Sequence, residues 1–287
     1  MFAPAATWRP VVDSARYPSM GPAWELLGMS IPKWAHVVIL PITDIDLFLL
    51  AKDPYASEIL GIAKTLGVHP GDVLGLNLVY EATAYCTSII AQDEKGNLYH
   101  GRNLDYNFAD ILRNLTVDLN FIKGGQPPRA MMMILKEVGG TQIEKYQNNE
   151  QDGKWWENAI YAFLKRSSPV SWLIRDTLNN AKDFQSAVLH LSVTPIIAET
   201  YYIMAGTQPK EGVVITRNRN GPADIWPLDP LYGEWFHVET NYDHWTNPPP
   251  TDDRRTPAIK AMNATGQANI TLDSLYRVND VLQVLSI

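Results

Sequence analysis

The chain has 287 residues, of which 46% are hydrophobic and 19% are charged, and this composition is typical of a globular protein with one large domain or two closely packed segments. Its net charge is −7 and its lysines and arginines are scattered, which argues against a nucleic-acid partner. No apolar run approaches the roughly 18 residues of a membrane-spanning helix.

Cys86 is the one cysteine of the chain, so an intrachain disulfide and the paired cysteines of zinc sites are excluded. The six histidines lack the spacing of metal-binding motifs, and neither a metal site nor a cofactor is expected. A lone cysteine is most often a small buried apolar residue, so its neighbours must decide what it does.

The predicted elements alternate between helical and strand-forming stretches. Apolar spacing predicts a helix over 45–66, interrupted near Pro54, and a helix or a helix-to-strand transition over 71–85. After Cys86, two short β-prone runs are joined by Glu94-Lys95-Gly96, which predicts a hairpin with glycine at a position of positive φ.

Beyond the hairpin, strands and helices follow each other in blocks. Strands are predicted over 115–122, 200–206, 211–218 and 235–241, and helices over 155–166, 171–178 and 181–191, from Asp252-Asp253 to about Asn263, and after Thr271. This order favours an α+β sandwich of sheets covered by helices over a regular βαβ alternation.

The hairpin gives Cys86 a chemical neighbourhood. Cys86 begins the first strand, and the return strand brings Arg102 and Asp105 back towards it. A cysteine beside a guanidinium and a carboxylate suits acyl transfer, since the arginine favours the thiolate and the aspartate orients an amine. Spacing alone favours the alternative, a buried cysteine next to a surface ion pair.

Longer stretches of the sequence carry a family resemblance, namely CTSIIAQDEKGNLYHGRNLDYNF, LRNLTVDLNF, WWENAI, PVSWLIRDTL, EGVVITRNRNGPADIWPLDPL, VETNYDHW and DDRRTPAIKAMNATGQANITL. With these stretches the sequence resembles the acid ceramidase family, and within it the acid amidases that hydrolyse acylethanolamides. The resemblance implies an N-terminal-nucleophile hydrolase with an αββα fold. It also implies an inactive precursor that is cleaved between Tyr85 and Cys86 into a mostly helical segment, 1–85, and a catalytic segment, 86–287, which stay together as a heterodimer.

The same resemblance assigns the site residues. Cys86 matches the nucleophile, and its freed α-amine, the least basic amine of a chain, is the expected general base. Arg102 and Asp105 match residues that organise the site, and Asn241 matches an asparagine that stabilises an oxyanion. Two further matches are Arg254, a second site arginine, and Glu150, a glutamate of the catalytic region. Outside the family pattern, Asn241 would read as a turn residue and Arg254 as the partner of the neighbouring aspartates.

Three functions remain open at this point. The first is hydrolysis of fatty acid amides, with N-acylethanolamines as the expected substrate and ceramide as the alternative. The second is a non-catalytic form that folds poorly or binds partners without cleaving them. The third, a relative of bile-salt or penicillin acylases, is disfavoured because 85 residues precede Cys86. The apolar helices before Cys86 favour core packing, with contact at a membrane surface as the alternative.

Targeting signals give a divided picture. Residues 1–29 lack the apolar region of a secretion signal, whereas the acceptor sequences at Asn114, Asn263 and Asn269 indicate glycosylation on a secretory route. The resemblance implies a lysosomal location. It also implies strands beyond Ile287 and a glycine- and aromatic-rich strand pair where 127–149 stands, so an alternative exon and a sheet incomplete at its C-terminal end are expected.

Overall fold

A computed structural model of the chain describes residues 55–74, 85–105, 138–143, 161, 165, 167–250 and 252–285. The chain forms two compact units. The first consists of Met1–Thr83, Tyr106–Leu119 and Ala162–Arg166, and the second of Ala84–Asp105, Asn120–Tyr161 and Ser167–Ile287.

The described part of the first unit is helical. Helix α1 spans Tyr55–Leu66 and buries Ile59 and Ala63, which are one turn apart on the same face. Gly67 ends the helix with a φ of 71°, a conformation that glycine adopts at little cost. A second helical stretch begins at residue 70. The helix predicted over 45–66 is therefore confirmed from Tyr55 onwards, and its first half lies outside the described residues.

The second unit contains strands and helices in blocks, as the sequence predicts. In chain order they are β1 Tyr85–Gln92, β2 Leu98–Asp105, β3 Val138–Ile143, α2 Val170–Asn180, α3 Phe184–Val193, β4 Thr200–Ala205, β5 Gly212–Asn218, β6 Gly221–Pro227, a 3₁₀ turn Pro230–Tyr232, β7 Phe236–Glu239, α4 Arg255–Thr265, a 3₁₀ turn Gln267–Asn269 and α5 Leu272–Leu285.

These strands form two antiparallel sheets. The first sheet has the order β2-β1-β7, and the second has the order β3-β4-β5-β6. Strand β1 is central in the first sheet and β4 is buried along its whole length in the second. Since successive side chains of a strand point to opposite faces, both faces of each sheet have to be covered at these strands.

Strand β1 shows how the layers are stacked. Ile89 and Ala91 pack in one core with residues of α4 and α5, whereas Ile90 packs in another core with Tyr201 and Val214 of the second sheet. Burying each of the two isoleucines fully contributes about 1.5–3 kcal/mol. The first sheet is thus held between helices on one side and the second sheet on the other.

The outer face of the second sheet is covered by α2 and α3. The Tyr202 hydroxyl donates to the Val170 carbonyl of α2 at 3.4 Å, and the Arg217 guanidinium donates to the Leu191 carbonyl of α3. The layers of this unit are helix, sheet, sheet and helix. The α+β fold class and the αββα layering predicted from the sequence are confirmed.

The β1–β2 hairpin is confirmed with its turn. Asp93 accepts from the backbone N–H groups of Lys95 at 2.9 Å and Asn97 at 2.8 Å. Gly96 has a φ of 88°, and a Cβ at this position would come within 2.7 Å of Pro209. Both backbone conformation and space therefore require glycine here.

Two strands were not predicted. Strand β6 is an edge strand whose side chains are mostly exposed, and it contains two prolines and an aspartate, so it lacks the apolar alternation of a strand. Strand β3 lies within 127–149, the segment that departs from the family pattern, and it pairs with β4 through an irregular register. That segment nevertheless supplies an edge strand.

Helix α3 begins three residues later than the sequence analysis placed it. The Asp183 side chain accepts from the Ser186 N–H at 2.7 Å, and the Ser186 hydroxyl oxygen accepts from the Asp183 backbone N–H at 3.1 Å, which is a capping box. Among the described helices, none is both long and apolar enough to cross a bilayer.

Candidate active site

The first sheet brings the ends of three strands together around Cys86. In the β1–β2 ladder, Tyr85 is paired with Asp105, Cys86 with Leu104 and Ser88 with Arg102. Because the strands are antiparallel, the beginning of β1 lies beside the end of β2. The predicted nucleophile Cys86 and the two residues predicted to organise it are therefore at one end of the sheet. For Tyr85, Cys86 and Asp105 the structure gives the backbone position.

Strand β7 approaches the same end from the other side of β1. The β1–β7 ladder ends at the pair Ser88–Glu239. Cys86 lies two residues before Ser88 on β1, and Asn241 lies two residues after Glu239 on the chain that leaves β7. Asn241 is therefore delivered to the Cys86 end of the sheet from a position 155 residues further along the chain.

Arg254 links this end of the sheet to Asn241. Its Nη2 donates to Oδ1 of Asn241 at 2.9 Å, and its Nη1 donates to Oγ1 of Thr87, the residue after Cys86, at 3.4 Å. The same guanidinium bonds the Asp252 carboxylate, from Nε to Oδ1 at 2.7 Å and from Nη2 to Oδ2 at 2.8 Å. The ion pair that the local sequence suggested is formed, and it is part of a larger network.

The network is buried except at Asp252, whose side chain is 32% exposed. Arg254 is only 4% exposed, and Thr87 and Asn241 are buried. A buried guanidinium without a carboxylate is strongly destabilising, so the Asp252 carboxylate offsets the desolvation of Arg254. Hydrogen bonds to charged groups contribute about 1.5–3 kcal/mol each, roughly twice the value of neutral ones.

The chain after Asn241 is held by a second arginine. Arg255 donates to the Asp243 carbonyl at 2.9 Å and to the Thr246 carbonyl, and its guanidinium lies 4.7 Å from the centre of the Tyr242 ring. The Tyr201 hydroxyl of β4 donates to Asp243 Oδ1 at 2.7 Å. These contacts fix residues 241–246, which we call the Asn241 loop.

Burial changes the titration of acids in the Asn241 loop. Desolvation raises the pKa of the Asp243 carboxyl, and the hydrogen bond from Tyr201 opposes this rise. Desolvation likewise raises the pKa of the Tyr242 phenol. Both groups therefore hold their protons more strongly than in water, as burial disfavours the charged form of an acid.

Two histidines stack on one tryptophan beside this loop. The Trp226 ring lies 3.6 Å from the His237 ring and 4.0 Å from the His244 ring, centre to centre. Desolvation by burial lowers the pKa of both imidazoles. Asp224, with Oδ2 at 3.7 Å from His244 Nε2, favours the charged form of His244. Burial therefore favours the neutral form of both rings more than water does.

Sequence reasoning missed several residues of this site. At the end of the β1–β7 ladder these are Thr87, Ser88 and Glu239, which is 1% exposed. Asp252, which the sequence indicated only as a local ion-pair partner, bonds Arg254 within the site. For Glu239 a signal was available, because a carboxylate at an inward position of a predicted strand, two residues before a site asparagine, is rarely buried without a purpose.

The remaining predicted residues fall elsewhere. Glu150 and Asn114 lie outside the described residues. Asn263 on α4 and Asn269 in the following turn are exposed, as a glycosylation acceptor must be. Within the part of the chain that the structure describes, no three His, Cys, Asp or Glu side chains are arranged to hold a metal ion.

Comparison with known proteins gives several close relatives, although no family model matches the chain. It is 50% identical over 289 residues to the N-acylethanolamine-hydrolyzing acid amidase of Cavia porcellus, covering 98% of this chain and 81% of that protein. It is 51% identical over 267 residues to the enzyme of that name from Rattus norvegicus, covering 91% of this chain and 73% of the relative. Acid ceramidase of Mus musculus is 34% identical over 256 residues, covering 82% of this chain and 65% of that protein.

A solved structure matches as well. The Caenorhabditis elegans N-acylethanolamine-hydrolyzing acid amidase ortholog aligns with a TM-score of 0.54 and 35% sequence identity, covering 67% of this chain and 85% of the other. Its helices and antiparallel sheets correspond to those described above. The predicted N-terminal-nucleophile hydrolase fold is therefore confirmed.

Proposed function

Because the chain belongs to the acid ceramidase family, in its branch of N-acylethanolamine-hydrolyzing acid amidases, we propose that it hydrolyses N-acylethanolamines to a fatty acid and ethanolamine. Membership of this family makes it an amide hydrolase. The observation that carries the proposal is the buried network in which Arg254 joins Asn241 to Thr87, the residue that follows Cys86.

The first step of the proposed mechanism is activation of the precursor. The bond between Tyr85 and Cys86 lies at the start of β1, within the β1–β2 ladder. Its hydrolysis consumes one water and leaves a carboxylate on Tyr85 and a free α-amine on Cys86. Since the amine is on the same residue as the thiol, no other part of the fold has to position it.

The second step is acylation of Cys86. The α-amine takes the proton of the thiol, and the sulfur attacks the amide carbonyl of the substrate. The carbonyl oxygen becomes an oxyanion that accepts hydrogen bonds from the side-chain amide of Asn241. As the C–N bond breaks, the ammonium returns its proton to the leaving nitrogen, and ethanolamine departs.

The third step is hydrolysis of the thioester. The α-amine removes a proton from water, and the resulting hydroxide attacks the acyl carbonyl. The second oxyanion occupies the same position beside Asn241, and collapse of the intermediate releases the fatty acid and restores the thiol. Arg102, Asp105 and Glu150 are proposed to organise this site, the first two from the end of β2.

Acylethanolamides are preferred over ceramides as the substrate because identity to the amidases of Cavia porcellus and Rattus norvegicus is 50% and 51%, against 34% to the acid ceramidase of Mus musculus. We also propose that the cleaved 1–85 and 86–287 segments remain together as a heterodimer.

Exposed Asn263 and Asn269 are proposed glycosylation sites, consistent with a lysosomal protein.

The test is acid incubation of the purified chain, followed by hydrolysis assays. At about pH 4.5, where histidines with ordinary pKa values are protonated, the intact masses of the products are measured over time. We expect two fragments, 1–85 and 86–287, and hydrolysis of N-palmitoylethanolamine in proportion to the cleaved fraction. Cys86→Ala is the matched control and should give neither.

Each outcome decides between the functions that the sequence left open. Hydrolysis of a long-chain ceramide in preference to N-palmitoylethanolamine would reassign the substrate. Hydrolysis by the uncleaved Cys86→Ala protein would overturn the mechanism. A folded chain that neither cleaves nor hydrolyses would be the non-catalytic form.

A further inference from the structure

We propose that Asp252 is a positioning residue of the active site, which acts through Arg254 to fix the side-chain amide of Asn241 with its NH₂ end towards the reacting carbonyl. This inference rests on the proposed function. It assigns to Asp252 a role beyond the start of α4, the helix that follows it.

Asp252 holds Arg254 in a fixed plane. The two carboxylate oxygens accept from two nitrogens of the guanidinium, Nε at 2.7 Å and Nη2 at 2.8 Å. Such a two-point pair is stronger than a single neutral hydrogen bond and allows one orientation of the planar guanidinium. Because the arginine is buried, its charge also makes exchange of this partner for water costly.

The fixed guanidinium then determines which way the Asn241 amide faces. An arginine side chain has only donors, so the amide atom that it contacts at 2.9 Å must be the oxygen, Oδ1. The two N–H donors of Asn241 therefore lie on the opposite end of the amide, directed away from Arg254. These donors are what an oxyanion requires, whereas a flipped amide would present its oxygen and repel the developing charge.

The same guanidinium anchors this arrangement to the nucleophile strand. Nη1 of Arg254 donates to the hydroxyl of Thr87 at 3.4 Å, and Thr87 is the neighbour of Cys86. The network therefore connects the strand of the nucleophile with the proposed oxyanion donor. A shift of Arg254 would alter both.

The neighbouring aspartate has a different task, which provides a matched control. Asp253 accepts from the Thr256 N–H at 2.9 Å and so caps the first turn of α4, whereas both carboxylate oxygens of Asp252 bond Arg254. Asp252 and Asp253 are adjacent, have the same charge and belong to the same helix start. An effect on the helix or on the general charge should therefore appear in both variants, and an effect on Asn241 only in one.

The experiment compares Asp252→Asn with Asp253→Asn, with rates normalised to the amount of the 86–287 fragment. We expect Asp252→Asn to lower kcat for N-palmitoylethanolamine about 10- to 100-fold, by analogy with the loss found when the partner that orients a metal-binding side chain is removed. KM should change far less, because the carbonyl oxygen of the bound substrate carries no negative charge for Asn241 to stabilise before the sulfur attacks. Asp253→Asn should retain the kcat of the unmodified protein, and Asp252→Glu should recover part of the loss.

A double-mutant cycle tests the route through Asn241. In the Asn241→Ala background there is no amide to orient, so adding Asp252→Asn should cause no further loss of kcat. An equal fold-loss in both backgrounds, or an unchanged kcat in Asp252→Asn, would overturn the inference. If Asn241→Ala and Cys86→Ala themselves retain full hydrolysis, the proposed function fails instead, so the two failures are distinguishable.

Discussion

Cys86 and Asn241 lie at equal distances in sequence from the last pair of the β1–β7 ladder, Ser88 with Glu239. Cys86 precedes Ser88 by two positions and Asn241 follows Glu239 by two. Because β1 and β7 are antiparallel, both residues come to the same end of the sheet. The distance along the chain is large, but the sheet places both residues at the same end.

Replacement of the proposed nucleophile, Cys86, by serine should slow both cleavage of the precursor and hydrolysis of the substrate. A serine hydroxyl is a weaker nucleophile than a thiol at acidic pH, so Cys86→Ser should slow or abolish cleavage of the Tyr85–Cys86 bond. Any cleaved Cys86→Ser protein should hydrolyse N-palmitoylethanolamine much more slowly than the cysteine form. Intact-mass time courses and initial rates measure the two effects, and cleavage at the original rate would contradict the assignment of Cys86.

Removal of the proposed oxyanion donor should mainly affect kcat. Asn241→Ala is expected to lower kcat by about 10²- to 10³-fold, the usual effect of losing one such donor. Asn247→Ala is the control, since Asn247 is an exposed asparagine just beyond the same loop. Steady-state kinetics of the two variants suffice, and an equal small effect of both substitutions would argue against this role of Asn241.

The two histidines that stack on Trp226 should make the protein less stable at acidic pH. Burial lowers the pKa of His237 and His244 in the folded state, so below their ordinary pKa of about 6.5 the unfolded chain binds more protons than the folded chain. The free energy of unfolding therefore falls as the pH falls through this range. For His244, Asp224, Asp243 and Glu234 oppose this effect and Arg255 adds to it. For His237, Glu234 opposes it and the charge of His244 adds to it.

His244→Gln tests this expectation. The variant should lose less unfolding free energy than the original protein between about pH 7.5 and pH 5, the range that brackets ordinary histidine titration. Urea unfolding at each pH measures the difference, with His69→Gln, at an exposed histidine, as the control. A pH dependence in His244→Gln as steep as in the original protein would show that this histidine is not responsible.

The fold was largely accessible from the sequence because the buried strands carry their own pattern. Ile89 and Ile90 belong to a β-prone run and pack in opposite cores, and this run together with the Glu94-Lys95-Gly96 turn predicted β1 and its hairpin. Strand β6 was not predicted because it is an edge strand with mostly exposed side chains. Such a strand is stabilised by its pairing with β5 rather than by its own apolar residues.

The site was accessible only in its local parts. The bond between Asp252 and Arg254 joins residues two apart and was read as a local ion pair, whereas the contact between Arg254 and Thr87 spans 167 positions. No residue pattern specifies such a contact, since it depends on how α4 packs on the first sheet. Family resemblance supplied Asn241 and Arg254, and the geometry adds Asp252, Thr87 and Glu239.

Arg217 is expected to be one of the main local determinants of stability in the second sheet. It is 1% exposed, and its guanidinium donates to the carbonyls of Leu191 and Thr194 at the end of α3. The residue four positions after Leu191 is Pro195, which has no N–H to offer a helix carbonyl. Arg217 thus replaces a missing donor, and its charge also interacts favourably with the negative end of the helix dipole.

Arg217→Met keeps most of the side-chain volume but leaves both carbonyls without this donor. Since an unsatisfied buried acceptor costs about 1–3 kcal/mol, the variant should lose about 2–4 kcal/mol of unfolding free energy. Urea unfolding at neutral pH measures this loss, and Arg277→Met, at an exposed position on α5, should change it by less than about 0.5 kcal/mol. Equal effects of the two substitutions would mean that the α3 carbonyls are satisfied in some other way, since the loss of charge is the same in both.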